Sequence, residues 1–208
     1  MSGPLSGNMD SIDVIGGNGE LIVKYKDVFH LKNIYDFCKE WLLENDYTDI
    51  TNMATMDTTG AEKYFEKFYL EEHEGGVKHI WWWWIAQHRP DGSNFLCYNI
   101  LTSAHLVAIA NTEVMVEGKK YKTNVGEIEF KFYGNLLVDF QSDFWSKSPL
   151  LTHFSSIFRK RWYKKNIEDH KKILRTHVYT FQGAVKNYLE LKEFLPRSTP
   201  FFPQKGLW

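Results

Sequence analysis

Four consecutive tryptophans, Trp81 to Trp84, lie in a stretch that reads as a β-strand, and no other feature restricts the fold as much. Side chains on a strand alternate between faces, so Trp81 and Trp83 point one way while Trp82 and Trp84 point the other. A half-exposed strand would carry polar residues on one of those faces. Here both carry large aromatics, so the strand is covered on both sides or offers one side to a partner.

The 208 residues suit one domain with extensions, long enough for a substantial core. The formal net charge of −1 gives no global field that would attract nucleic acid or an anionic membrane. The aromatic share of 16% is high, which fits a dense aromatic core or adhesive interfaces. Cys38 and Cys97 belong to no C-x-x-C pair and read as buried thiols. The longest apolar run, around Ile80 to Ala86, is far short of the ~20 residues that span a bilayer. With no charged-then-apolar leader at its start, the chain is expected to be soluble, cytoplasmic or virion-associated.

Residues 1–19 are rich in Gly, Ser, Asn and Asp and read as an extended arm. Leu21, Val23 and Tyr25 alternate with Ile22, Lys24 and Lys26 as in a strand. Ile34, Phe37, Cys38, Trp41 and Leu42 form the stripe of an amphipathic helix ending near Asn45 and Asp46. Thr59 and Glu62 make a capping-box pattern, and Tyr64, Phe65, Phe68 and Tyr69 then suggest a second, short helix stopped by Gly75-Gly76. The tryptophan strand, 77–88, reverses at Arg89-Pro90-Asp91-Gly92 into a strand from Phe95 to about Ala110. Val114 to Tyr121 reads as a tight hairpin around Gly118. Ile128, Phe130 and Phe132 share one face of a strand from Glu127 to about Phe140, with a bulge expected at Gly134.

Ser148-Pro149 is a helix start. Leu150, Leu151, Phe154, Ile157, Phe158 and Trp162 make one apolar stripe; Ile167, Leu174, Val178, Phe181, Val185, Tyr188 and Leu189 make another. The two are out of phase, which predicts a kink near Asn166. The expected architecture is α+β: a mostly antiparallel sheet of about five strands, two N-terminal helices and a long C-terminal helix packed on the sheet. The boundaries are an arm over 1–19, one domain over 20–195 and a second arm over 196–208.

No catalytic constellation emerges. There is no G-x-S-x-G elbow, no H-E-x-x-H pair and no phosphate-binding glycine loop ending in G-K-[ST]. His170 and His177 are two helical turns apart, ~10 Å along the axis, too far to share one metal ion, so a structural role is expected. No cofactor or metal is implied. Arg159, Lys160, Arg161, Lys164 and Lys165, interleaved with Trp162 and Tyr163, form a basic run that could grip an anion on nucleic acid or a membrane surface. The simpler reading is a solvated helix face beside Glu168 and Asp169.

These readings favour a non-catalytic structural or interaction subunit of a larger assembly, virion-like or another multi-subunit complex. Its partners would be copies of itself or other subunits. The candidate interface residues are Trp82 and Trp84 in the strand and Phe201, Phe202 and Trp208 in the proline-rich stretch 196–208. The alternative is a ligand-binding or enzymatic α+β domain with an aromatic pocket lined by Trp82 or Trp84, Tyr98 and Tyr133, with His105 the nearest titratable group. A second alternative is a nucleic-acid or membrane-surface binder acting through residues 159–165.

Overall fold

The computed structural model describes residues 10–16, 21–49, 65–90, 95–116, 119–138, 161 and 163–190. They form six strands and two helices in the order β1 (Asp10–Ile15), β2 (Leu21–Phe29), α1 (Leu31–Glu44), β3 (Glu66–Glu74), β4 (Val77–His88), β5 (Leu96–Val116), β6 (Lys119–Val138) and α2 (Lys164–Tyr188). All pairings are antiparallel, in the order β1-β6-β5-β4-β3, with β2 also paired to β6. The α+β class therefore holds, with one strand more and one helix fewer among the described residues than expected for the chain.

Two of the differences have clear causes. Residues 10–15 join the sheet instead of hanging free: Ile12 pairs with Leu136 and Ser11 with Leu137. Alternation in DSIDVI is short and sits among turn formers, so it was masked by composition. The predicted second helix is replaced by β3, over 66–74, while its proposed cap at 59–62 lies outside the described residues. Phe68 and Tyr69 satisfy helical spacing, but they are strand formers, and the strand lets them meet β4. Phe68 pairs with Trp83 and Tyr69 with Trp82. Gly75 and Gly76 have φ of 56° and 94°, so they form the two-residue hairpin turn that needs positive φ twice, not a helix stop.

β5 and β6 are 21 and 20 residues long, well beyond the usual strand. Their pairing slips between Val107 and Ala110, where Ala108 has φ 53°. Gly126 sits across this bulge; a Cβ there would come within 2.5 Å of Ile109 Cδ1 and 3.0 Å of the Val107 carbonyl. One bulge is thus on β5; at Gly134 β6 keeps regular register with Ile100 of β5, while the irregularity expected there appears on its other edge, where β1 shifts register between Asp13 and Ile15 against Asn135 and Gly134. Gly134 admits a helix instead: its missing Cβ leaves the space occupied by Val178 Cγ2 of α2, which would be 2.9 Å away.

Both helices lie on one face of the sheet, here the inner face. α1 buries Ile34, Cys38 and Leu42, and α2 buries Ile167, Leu174, Val178, Phe181 and Val185, as their stripes predict. The stripe proposed for 150–162 and the hairpin tip at 117–118 lie outside the described residues. Aromatic rings connect helices to sheet: Trp41 stacks on Phe181 at 4.5 Å, Phe181 meets Phe132 edge-on at 5.2 Å, and Phe130 lies between Phe132 and Trp82. Tyr35 of α1 stands edge-on to Trp82 at 5.4 Å and Trp84 at 4.9 Å.

Candidate functional site

The register of β4 divides the tryptophans as alternation requires. Trp82 and Trp84 are 0% and 1% exposed beneath α1, whereas Trp83 is 59% exposed on the opposite, outer face. This corrects the expected interface: Trp82 and Trp84 are core residues packed against Tyr35, Phe65 and Phe130, and neither presents a surface on which a protein partner could dock. Phe201, Phe202 and Trp208 lie outside the described residues.

The outer face carries its own apolar band. Phe68 and Leu70 of β3, 43% and 40% exposed, flank Trp83 and Trp81 through the pairings Phe68–Trp83 and Leu70–Trp81. The Phe68 and Trp83 rings are 5.8 Å apart, and Trp81 stacks on His105 of β5 at 4.9 Å. A shallow groove of about 220 Å³ runs beside Trp83, lined by Lys67, Ile85, Leu101, Ser103 and Tyr133. Beyond it, Glu129 of β6 is held between Lys24 of β2 and Lys131, the latter 3.5 Å away. Lys24 chiefly, and then Lys131, keep the Glu129 carboxyl below the ordinary carboxylate range. At the other end of this face Gln87, Cys97, Asn99 and Leu137 are buried, so exposure is confined to the half that holds Trp83.

Of the residues proposed for an aromatic pocket, Trp84 and Tyr133 both border the groove beside Trp83, but Tyr98 and His105 are not among its described lining residues. Tyr98 lies on the inner face with Trp82 and Trp84, while Tyr133 and His105 belong to the outer face. Of the basic run, Arg161, Lys164 and Lys165 are exposed, and Arg159 and Lys160 lie outside the described residues. Glu168 sits within reach of this run; its carboxyl is lowered mainly by its hydrogen bond to Lys171, with smaller help from Lys164 and Lys172.

A cluster that the sequence did not reveal joins α2 to the sheet. Tyr98 Oη is 2.6 Å from His170 Nδ1, and Tyr47 Oη is 2.9 Å from His177 Nδ1. Tyr47 also packs against His88, whose Nδ1–H donates to the Asp46 carbonyl at 3.2 Å. Burial, and less so His88, holds His177 below its ordinary value, while burial pushes the Tyr47 phenol well up. A neutral Tyr47 phenol and a neutral His177 ring therefore share this hydrogen bond. His170 and His177 serve separate tyrosines, consistent with their two-turn spacing. The only advance signal was that both fall beside the apolar stripe of α2.

Neither cysteine is activated. Burial pushes Cys97 up to about 12 and Cys38 higher still, so both stay as thiols. Among the described residues no group of three or more His, Cys, Asp or Glu side chains could hold a metal ion, and no helix is long and apolar enough to cross a membrane. Comparison of the chain with protein families, curated proteins and solved structures finds no match.

Proposed function

We propose that the chain is a non-catalytic interaction subunit that pairs with a second copy of itself through the outer face of its sheet. The observation that carries this reading is the exposed band Phe68, Leu70, Trp83 on a face whose opposite side already holds both helices. Apolar side chains at the centre and charges at the border are the anatomy of a protein interface, and aromatic anchors dominate its energy. A like partner is favoured because the border carries both signs, in Lys24, Glu129 and Lys131, and the chain is nearly neutral. Two copies related by a two-fold axis can then set lysine against glutamate without net repulsion.

Residues 196–208 stay in the proposal as a second contact, on sequence grounds alone. The test is sedimentation equilibrium of the full chain beside Trp83→Lys and a chain shortened by residues 197–208. Wild type should exceed the monomer mass, and Trp83→Lys should reduce it to that of one chain with unchanged circular dichroism. A monomeric wild type, or a Trp83→Lys variant of wild-type mass, refutes self-association through this face.

A further inference from the structure

On the opposite side of β4, a cavity of about 360 Å³ opens at the start of α1, lined by His30, Leu31, Lys32, Tyr35, Tyr69, Trp82 and Asn124. That volume is within the roughly 300–1,000 Å³ of small-molecule sites. Its walls are mostly ring faces. Tyr35 is fixed by donating its hydroxyl to Glu66, which also accepts the Trp84 indole N–H at 3.3 Å. Tyr69 donates to Glu71 at 3.0 Å. Trp82 is wholly buried, and its indole N–H meets no acceptor among the described residues. A buried donor left unmet costs free energy that a ligand acceptor can recover.

Among the described residues that line the cavity, Lys32 is charged and none is acidic. α1 has no acidic residue in its first turn, so no carboxylate of its own balances the positive end of the helix dipole. The Leu31 N–H is taken by Asn124 Oδ1 at 3.2 Å and the Asn33 N–H by His30 Nδ1 at 3.2 Å. That second bond leaves the proton of a neutral His30 ring on Nε2, a further donor. Lys32, between those two amides, contributes its ammonium to the lining. Two acids that bond the cavity's tyrosines are themselves engaged: Glu66 by Tyr35 and Trp84, and Glu71 by Lys78 at 2.7 Å.

We infer that this cavity binds a small carboxylate with an aromatic or similarly flat apolar body. The body lies against Tyr35, Tyr69 and Trp82, and the carboxylate meets Lys32 and the start of α1. The site is on the helix side of the sheet and is independent of the outer-face contact.

Naphthylacetate and its uncharged analogue naphthylacetamide test this by calorimetric titration into the full chain. The acid should bind roughly tenfold tighter than the amide, the combined effect of one ammonium and a helix terminus. Lys32→Glu puts an acid where the helix itself favours one, so the fold should persist while the preference for the acid disappears. Tyr69→Ala should weaken both ligands alike, and Trp83→Lys should weaken neither. Absence of binding, equal affinity for acid and amide, a preference unchanged in Lys32→Glu, or loss of binding in Trp83→Lys would each overturn the inference.

Discussion

Trp82 and Trp83 are neighbours in sequence and opposites in energy. Replacing the buried Trp82 or Trp84 by Ala should cost about 3–5 kcal/mol, because the ring contacts to Tyr35 and Phe130 are lost and a cavity remains. Trp83→Ala in the isolated chain should stay within about 0.5 kcal/mol. Urea unfolding below the concentration at which chains associate checks both. Alternation made this division legible, but not which pair faces inward, since four identical residues fit either choice. That was decided by their neighbours: Ile80 and Ala86 share the face of Trp82 and Trp84, whereas Trp81 pairs with His105 and Trp83 with Ser103. His177 is a residue whose environment the sequence hid. Its folded value lies below the ordinary 6.5, so the unfolded chain takes up this proton first on acidification. Stability should be full above about pH 6.5 and fall as pH drops below it, before the carboxylates titrate. His177→Gln should flatten this part of the pH profile of thermal unfolding; an unchanged slope would assign the loss to other groups.

At the scale of elements, glycine positions separate what pattern reading could and could not see. Gly134 was legible as special, but the reason is the approach of α2, a contact 44 residues away in sequence. Gly134→Ala should therefore strain the α2–β6 contact by about 1–3 kcal/mol, read as a lower unfolding midpoint. Gly134→Ala with Val178→Ala should recover part of it, since the second change removes the colliding methyl group. β1 is the second such case. Removing residues 1–16 uncovers one end of β6 and should lower the melting temperature. The helices were read well because their apolar stripes are long and local. β3 was misread because six residues of Phe, Tyr and Glu fit both periods, and only pairing to β4 distinguishes them.

For the whole molecule, the sheet separates two unlike surfaces with different chemistry. The inner side holds helices, an aromatic core and, at the start of α1, a cavity with positive polar groups. The outer side is bare around Trp83. The sequence made the surplus aromatic face evident and led to the expectation of a partner, while it concealed the cavity, whose walls come from α1, β3, β4 and β6. Because the two surfaces share β4 as a common wall, ligand binding and self-association can be measured in one sample. Naphthylacetate should raise the melting temperature of Trp83→Lys as much as that of wild type, by simple mass action on the folded state.

The four-tryptophan strand also bears on how the chain finds its native arrangement. A strand that slides by two residues against its partner normally exchanges unlike side chains and is rejected for it. Here such a slide would put Trp where Trp belongs at one inner position, so the repeated residues discriminate poorly. The discrimination falls to the two-glycine turn at 75–76, to Ala86, whose small slot beside Ile100 cannot take an indole, and to the reciprocal backbone bonds between Thr48 and Gln87 at 2.8 Å. Weakening any of these, for example by Ala86→Gly, should populate misaligned hairpins during refolding, seen as an added slow phase in tryptophan fluorescence.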